Sequence, residues 1–156
     1  NTLLCVICLM VLLLHTLPNC AQQTIDGAQF DIVAGVIYDA SNTSIALNST
    51  IMISNTGMFD AAVAAFTATV SYNEMEIGSI NMPSIQTTAN QNTFVNVSSV
   101  LAISNVDQFR ISVKSMLANT DQIWHLSASN VKVTVETNGF GSHKFEVEIN
   151  KNLVLL

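Results

Sequence analysis

Alternation of apolar and polar side chains runs through the chain after residue 29. Ile45, Leu47, Ile51 and Ile53 share one parity, with Asn48 and Thr50 between them. Phe66, Ala68, Val70 and Tyr72 alternate with Thr67, Thr69 and Ser71. Val131, Val133 and Val135 alternate with Lys132, Thr134 and Glu136, and Phe145, Val147 and Ile149 with Glu146, Glu148 and Asn150. Successive strand side chains point to opposite faces, so each run predicts a strand with one face in a core and the other in water. Phe109, Ile111 and Val113 follow the same rule against Arg110, Ser112 and Lys114 and predict another strand. Phe30 to Tyr38 is apolar at both parities, through Ile32, Val33, Val36 and Ile37, and predicts a central strand. Val97 to Val106 predicts a strand end followed by one or two helical turns stopping at Asp107. Asp60 to Phe66, rich in alanine, predicts a strand or an irregular approach to one.

Turn residues punctuate these runs: Asn55-Thr56-Gly57, Asn73-Glu74, Pro83, Ala89 to Asn92, and Asn138-Gly139 with Gly141 close behind. Seven or eight short strands at this spacing, with no long helix between them, predict an all-β, immunoglobulin-like antiparallel β-sandwich with at most one short helix. The sandwich occupies 29–156. Asn152 to Leu156 resumes a strand pattern where the sequence stops, as a truncated final strand would.

The first 21 residues differ. Leu3 to Leu14 reads LLCVICLMVLLL, without one polar or charged group. Twelve helical residues span about 18 Å against a hydrocarbon core of about 30 Å. The segment reads as an N-terminal apolar helix, either the core of a signal peptide or part of a membrane anchor, in a chain that opens on Asn1. Pro18 is expected to end that helix, and Ala21 is the candidate last residue before cleavage. Cys5-x-x-Cys8 has metal-site spacing but lies inside the apolar run with no second ligand pair, and after Cys20 there is no cysteine. The three are read as small apolar leader residues.

Composition narrows the class. Of 156 residues, 49% are hydrophobic and 10% charged, against about 25% charged in an average soluble domain, which excludes a disordered acidic chain or a charged coiled coil. The net charge of −6, and the lack of any Lys or Arg before Arg110, argue against nucleic acid as a partner. Asn42-Thr43-Ser44, Asn48-Ser49-Thr50 and Asn96-Val97-Ser98 are N-glycosylation acceptor triplets. With the leader they predict the secretory pathway, the domain lying outside the cytosol, extracellular or membrane-anchored.

Candidate chemistry is sparse. His143 with Glu146 and Glu148 is the local cluster most like a metal site, but the histidine has the opposite strand parity and the cluster reads as a solvated face. Glu74 and Glu76 share a face without a third polar partner. No serine sits in a G-x-S-x-G elbow, and Gly139-Phe140-Gly141 is a turn rather than a phosphate cradle. Trp124 reads as core, as do the scattered methionines. No catalytic, cofactor-binding or metal-ligating residue is expected, and the chain reads as non-enzymatic. An alternative is a lipid-binding or lipid-transfer module with an apolar groove between the sheets, lined by Met52, Phe66, Met75 and Met82.

From Ile51 to Val97 the order is a strand ending at Asn55, a turn, a strand closing on Tyr72-Asn73, then Ile77-Gly78 and Pro83. This order resembles the late embryogenesis abundant group 2 domain, also called the water stress and hypersensitive response domain. The tail from Ile123 to Val154 is similar to its fungal and oomycete branch of unknown function. The resemblance covers roughly residues 30 to 154. Thr56 stands where that family has Pro, and Glu74 and Met75 where it has a glycine after the Tyr-Asn turn. The resemblance implies an immunoglobulin-like sandwich of about seven strands with one small helix, behind a single N-terminal membrane anchor. It also implies a stress-protective, membrane-proximal role without enzymatic residues, and lipid binding through distant relatives.

Overall fold

The computed structural model describes residues 2–118, 123–137 and 141–154, apart from the side chains of residues 2, 3, 5, 6, 10, 13–15 and 154. A helix, α1 (Thr2–Gly27), leads into β1 (Gln29–Ala40), β2 (Ser44–Ser54), β3 (Asp60–Val63), β4 (Phe66–Tyr72), β5 (Met75–Met82), β6 (Ile85–Thr87) and β7 (Thr93–Ile103). A second helix, α2 (Val106–Leu117), precedes β8 (Ile123–Thr137) and β9 (Gly141–Val154). The result is the β-sandwich-like all-β fold that the alternation predicts. Two of the nine strands, β3 and β6, are four and three residues long and hide in the alanine-rich run and behind Pro83.

One layer runs β4-β5-β7-β2-β1 and the other β9-β8-β3-β6. The long strand β8 joins them: His125 to Ser127 pair with β4, Val133 to Glu136 with β3. Between these stretches a bulge at Ala128/Val131 bends the strand, with Asn130 at φ 55°. On the other side the layers meet at one parallel pair, Asp31 with Val154. Inward residues of both layers form one core, with Ala68, Ile77 and Leu101 fully sealed and Val97, Leu126, Val131 and Ile149 nearly so.

Four expectations need correction. Residues 109–113 are not a strand but the middle of α2, and the helix starts where the sequence pattern was expected to end one. Asn105 caps it, its side-chain oxygen accepting from the Gln108 backbone N–H (3.1 Å), and Asp107 sits in its first turn. Phe109 and Met116, seven residues apart, face the core, so the period is helical, and the β-branched Ile111 and Val113 supplied a false alternation. Val97 to Ile103 continues β7 as strand. Nor does Pro18 end α1, which passes through it. Finally, β1 is central only at its start: among the described residues β9 pairs with it at Asp31 alone, and from Val33 to Ala40 every residue is exposed. The Asn138-Gly139 turn and Leu155-Leu156 lie outside the described residues.

Gly78 carries the β5–β7 contact. A Cβ there would lie 2.0 Å from the Ala102 carbonyl oxygen, a backbone atom that cannot step aside. Gly35, by contrast, has no atom nearer than 3.8 Å. Gly78→Ala is therefore expected to destabilise by about 1–3 kcal/mol or more, lowering the melting temperature by roughly 2–12 °C. Gly35→Ala in the same thermal melts should stay close to the parent.

The β4–β5 turn explains the missing glycine. Asn73 and Glu74 both adopt positive φ, 49° and 64°, between the paired residues Tyr72 and Met75. A two-residue hairpin turn of this hand wants glycine at its second position, and Glu74 carries the steric cost instead. Glu74→Gly is expected to raise stability by about 0.5–1 kcal/mol, read by urea denaturation, after the opposing loss of unfolded-chain stiffness.

Candidate functional site

The region that the fold organises most distinctively is where α1 lies along β9. β9 pairs with β8 on one side, but among the described residues its other side has a strand partner only at Val154. Gln22 fills that edge: its side-chain N–H donates to the Glu148 carbonyl (2.9 Å) and its oxygen accepts from the Glu148 N–H (3.0 Å). Four residues along the helix, Asp26 accepts from Gln22 (2.9 Å), fixing the amide's orientation. Lys151 then donates to the Asp26 carbonyl at the C-terminal end of the helix (2.7 Å), where a cation is favoured by the helix dipole. Lys151 is only 7% exposed. Burial pushes its ammonium pKa below the ordinary value, and the nearby Asp26 carboxylate opposes the shift.

Beneath this half of the helix lie two small apolar cavities. One, about 40 Å³, is walled by Ile25, Phe30, Phe66, Val63 and Ile149 among others. The other, about 50 Å³, lies between Leu17, Cys20, Ala21, Phe59, Val135 and Phe145. Both fall far short of the roughly 300–1,000 Å³ of a ligand pocket. The four residues expected to line a lipid groove do not converge. Phe66 and Met82 are register partners at one end of the β4–β5 hairpin, Met75 is exposed at its other end, and Met52 is on the outer face of β2 opposite Phe94.

Ahead of Leu17 the helix leaves the sandwich. Leu4, Ile7, Leu9, Val11 and Leu12 are all exposed, Leu12 at 67%. At about 100° per residue they cover roughly 200° of the helix circumference, twice the arc of an ordinary amphipathic stripe. Among the described residues no helix is long and apolar enough to cross a membrane. Cys8 and Cys20 are free thiols, and the Cys5 side chain lies outside the described residues.

The other sequence candidates are dispersed. Asn42 is exposed in the β1–β2 turn, at the end of the domain remote from the helix arm. Asn48 and Asn96 are exposed on the outer faces of the neighbouring strands β2 and β7. They are linked: Thr50, the hydroxyl residue of the Asn48 triplet, donates to the Asn96 side chain (2.8 Å). His143 stacks on Phe145 with centroids 6.4 Å apart, Glu148 accepts from the Asn130 backbone N–H (3.2 Å), and Glu76 accepts from the Ser104 hydroxyl (2.9 Å). His125 is hydrogen-bonded to Asn152 (3.1 Å). Among the described residues no three His, Cys, Asp or Glu side chains are grouped to hold a metal ion. A polar surface cleft of about 220 Å³ lies across β3, β6 and β8, with Asp60 and Glu136 facing each other in register. Trp124 is half-buried, with its indole N–H unpartnered.

Sequence reasoning missed Gln22 and Lys151. The signal available was a lysine on the inward parity of β9, where Val147, Ile149 and Leu153 are apolar. An inward lysine asks for a buried acceptor.

No family model matches the chain, and no curated protein does. Several solved structures resemble it, three of them over most of both chains. A protein from Archaeoglobus fulgidus is 11% identical, with 79% of this chain and 94% of that one covered and a TM-score of 0.34. A protein from Arabidopsis thaliana is 12% identical, with 81% of each chain covered and a TM-score of 0.36. A protein described as late embryogenesis abundant is 9% identical, with 94% of this chain and 85% of that one covered and a TM-score of 0.38. At this identity the likeness is one of strand arrangement in outline, and the site's chemistry is read from the chain's own residues.

The Lys151 arrangement has a pH signature. Its folded pKa is depressed below the ordinary lysine value of 10.5. Between the two values the unfolded chain holds more protons, so unfolding free energy rises with pH across the interval just below 10.5 and is lowest below the folded pKa. Urea denaturation of the parent and Lys151→Met across that interval should show the rise in the parent and a flatter profile in the variant.

Proposed function

We propose that this chain is a non-enzymatic, membrane-proximal binding domain, held at a lipid phase through α1, with its sandwich outside the cytosol. The observation that carries the reading is the arm of α1. Its apolar side chains face outward over too wide an arc for a one-sided protein groove, and the sequence from Leu3 to Leu14 has no polar residue to interrupt them. An apolar medium on all sides matches that distribution. Burying five such side chains contributes roughly 8–15 kcal/mol before the costs of association.

The arm is coupled to the domain because the same helix continues into the half that Gln22 and Lys151 fasten to β9. Cleavage after Ala21 would strip Leu17, Cys20 and Ala21 from the wall of the cavity beneath it, which favours a retained arm. The exposed acceptor asparagines Asn42, Asn48 and Asn96 support placing the domain outside the cytosol. The stress-protective role rests on the sequence resemblance to the late embryogenesis abundant group 2 domain. Carriage of lipid between the sheets draws no support from apolar cavities of about 40 and 50 Å³.

The test is flotation of the full chain with phosphatidylcholine vesicles. The parent is expected to float with the vesicles, and Leu9→Lys with Leu12→Lys to reduce the bound fraction at least tenfold, since each lysine carries a charge that the hydrocarbon disfavours. A parent chain that stays with the soluble fraction, or a double variant that floats equally well, overturns the reading.

A further inference from the structure

The loop between β2 and β3, Asn55 to Phe59, sits where the arm leaves the sandwich, and it is built to hold one shape. Asn55 and Gly57 adopt positive φ, 57° and 79°. Thr56 is buried, its hydroxyl within 3.3 Å of the Thr88 carbonyl, and the Gly57 carbonyl accepts from the Asn90 N–H (2.9 Å). Gly57 presses on α1 so closely that a Cβ would lie 2.8 Å from a Thr24 methyl. Yet the two residues this rigid frame presents are apolar and open: Met58 is 73% exposed and Phe59 37%. Phe59 shares a cavity wall with Leu17, the residue at which the arm departs.

We propose that Met58 and Phe59 form a second lipid contact, entering the interfacial layer of the bilayer at the base of the arm and fixing the tilt of the domain. The inference rests on the membrane reading above and adds a surface to it. A free loop would gain little from exposing a methionine and an aromatic ring. A loop pinned between residues 88–91 and α1, beside an apolar helix, makes one continuous apolar surface with that helix, and a phenyl ring and a thioether suit the shallow apolar layer just below the headgroups. Asp60 follows the loop directly and stands in register with Glu136, so a zwitterionic surface suits this end of the molecule better than an anionic one. At the opposite end lies the β1–β2 turn with Asn42.

The experiment places a single tryptophan, in a Trp124→Phe background of the full chain, at Leu12, Met58 or Asn42, and measures quenching by brominated phosphatidylcholine in vesicles. Thermal melts verify folding of each variant; if Trp124→Phe melts early, the same comparison is made with Trp124 kept and its signal subtracted. Leu12→Trp and Met58→Trp are expected to be quenched, and Asn42→Trp to stay unquenched. Met58→Glu, a change at an exposed position, is expected to weaken vesicle partitioning about tenfold or more, the worth of one buried apolar side chain. Quenching at Leu12 without quenching at Met58 overturns this inference and leaves the membrane reading standing. Quenching at neither, as a protein partner for the arm would give, overturns both.

Discussion

Between Gln22 and Glu148 the helix does what another strand would do. A strand edge carries unpaired N–H and C=O groups, and a side-chain amide is a peptide group on a tether, able to donate and accept at once. Gln22 offers both to one residue of β9, at 2.9 and 3.0 Å. Lys151 repeats the logic in reverse, lending a donor from the strand to the Asp26 carbonyl in the helix's last turn, where intrahelical donors run out. The two contacts lie 125 or more residues apart in the chain. They tie the first element to the last, and much else depends on that tie: the cover over the core at Ile25 and Ala28, and the direction in which the arm leaves.

Direction follows from how the strands run. α1 and β9 advance together, Gln22 beside Glu148 and Asp26 beside Lys151, and β1 continues the same way beyond Asp31. The β1–β2 turn with Asn42 is thus placed at one end, and the arm, the Asn55 to Phe59 loop and the β3–β8 ladder at the other. The run from Leu3 to Leu14 supplies the apolar side chains of one end, and the register of the strands decides which end of the sandwich they stand at.

How much of this was legible beforehand depends on how local the cause was. Strands such as Phe66–Tyr72 and Val131–Glu136 were readable because period-two alternation records a single boundary between core and water. The helix at Val106–Leu117 was misread because Ile111 and Val113 favour strands as residues, while Asn105, Gln108 and Phe109 favour a capped helix as a pattern, and the tertiary partner decides: Gln108 reaches the Tyr72 carbonyl at 2.8 Å. β1 was read as central from its composition. Its exposure from Val33 onward is a matter of long-range pairing, which its own composition does not record. The lipid groove failed for the same kind of reason, since Met52 and Met75 were grouped by residue type while strand parity and the hairpin turn send them elsewhere.

Pro18 gives the last step. It lacks the N–H that would bond to Leu14 and its ring crowds that carbonyl, at a cost of about 3 kcal/mol in a helix interior. The helix nevertheless passes through it, at the border between the docked half and the arm. The docked half is held from outside by β9. An arm of some fifteen residues in water would be marginal as a helix on its own. In hydrocarbon the balance inverts, because each unbonded peptide group there costs several kcal/mol and the helix satisfies nearly all of them internally. The sandwich supports the helix's last turns, and on the membrane reading proposed above a lipid environment would support its first ones, so the segment that completes the fold would also be the one whose helical state responds to its surroundings.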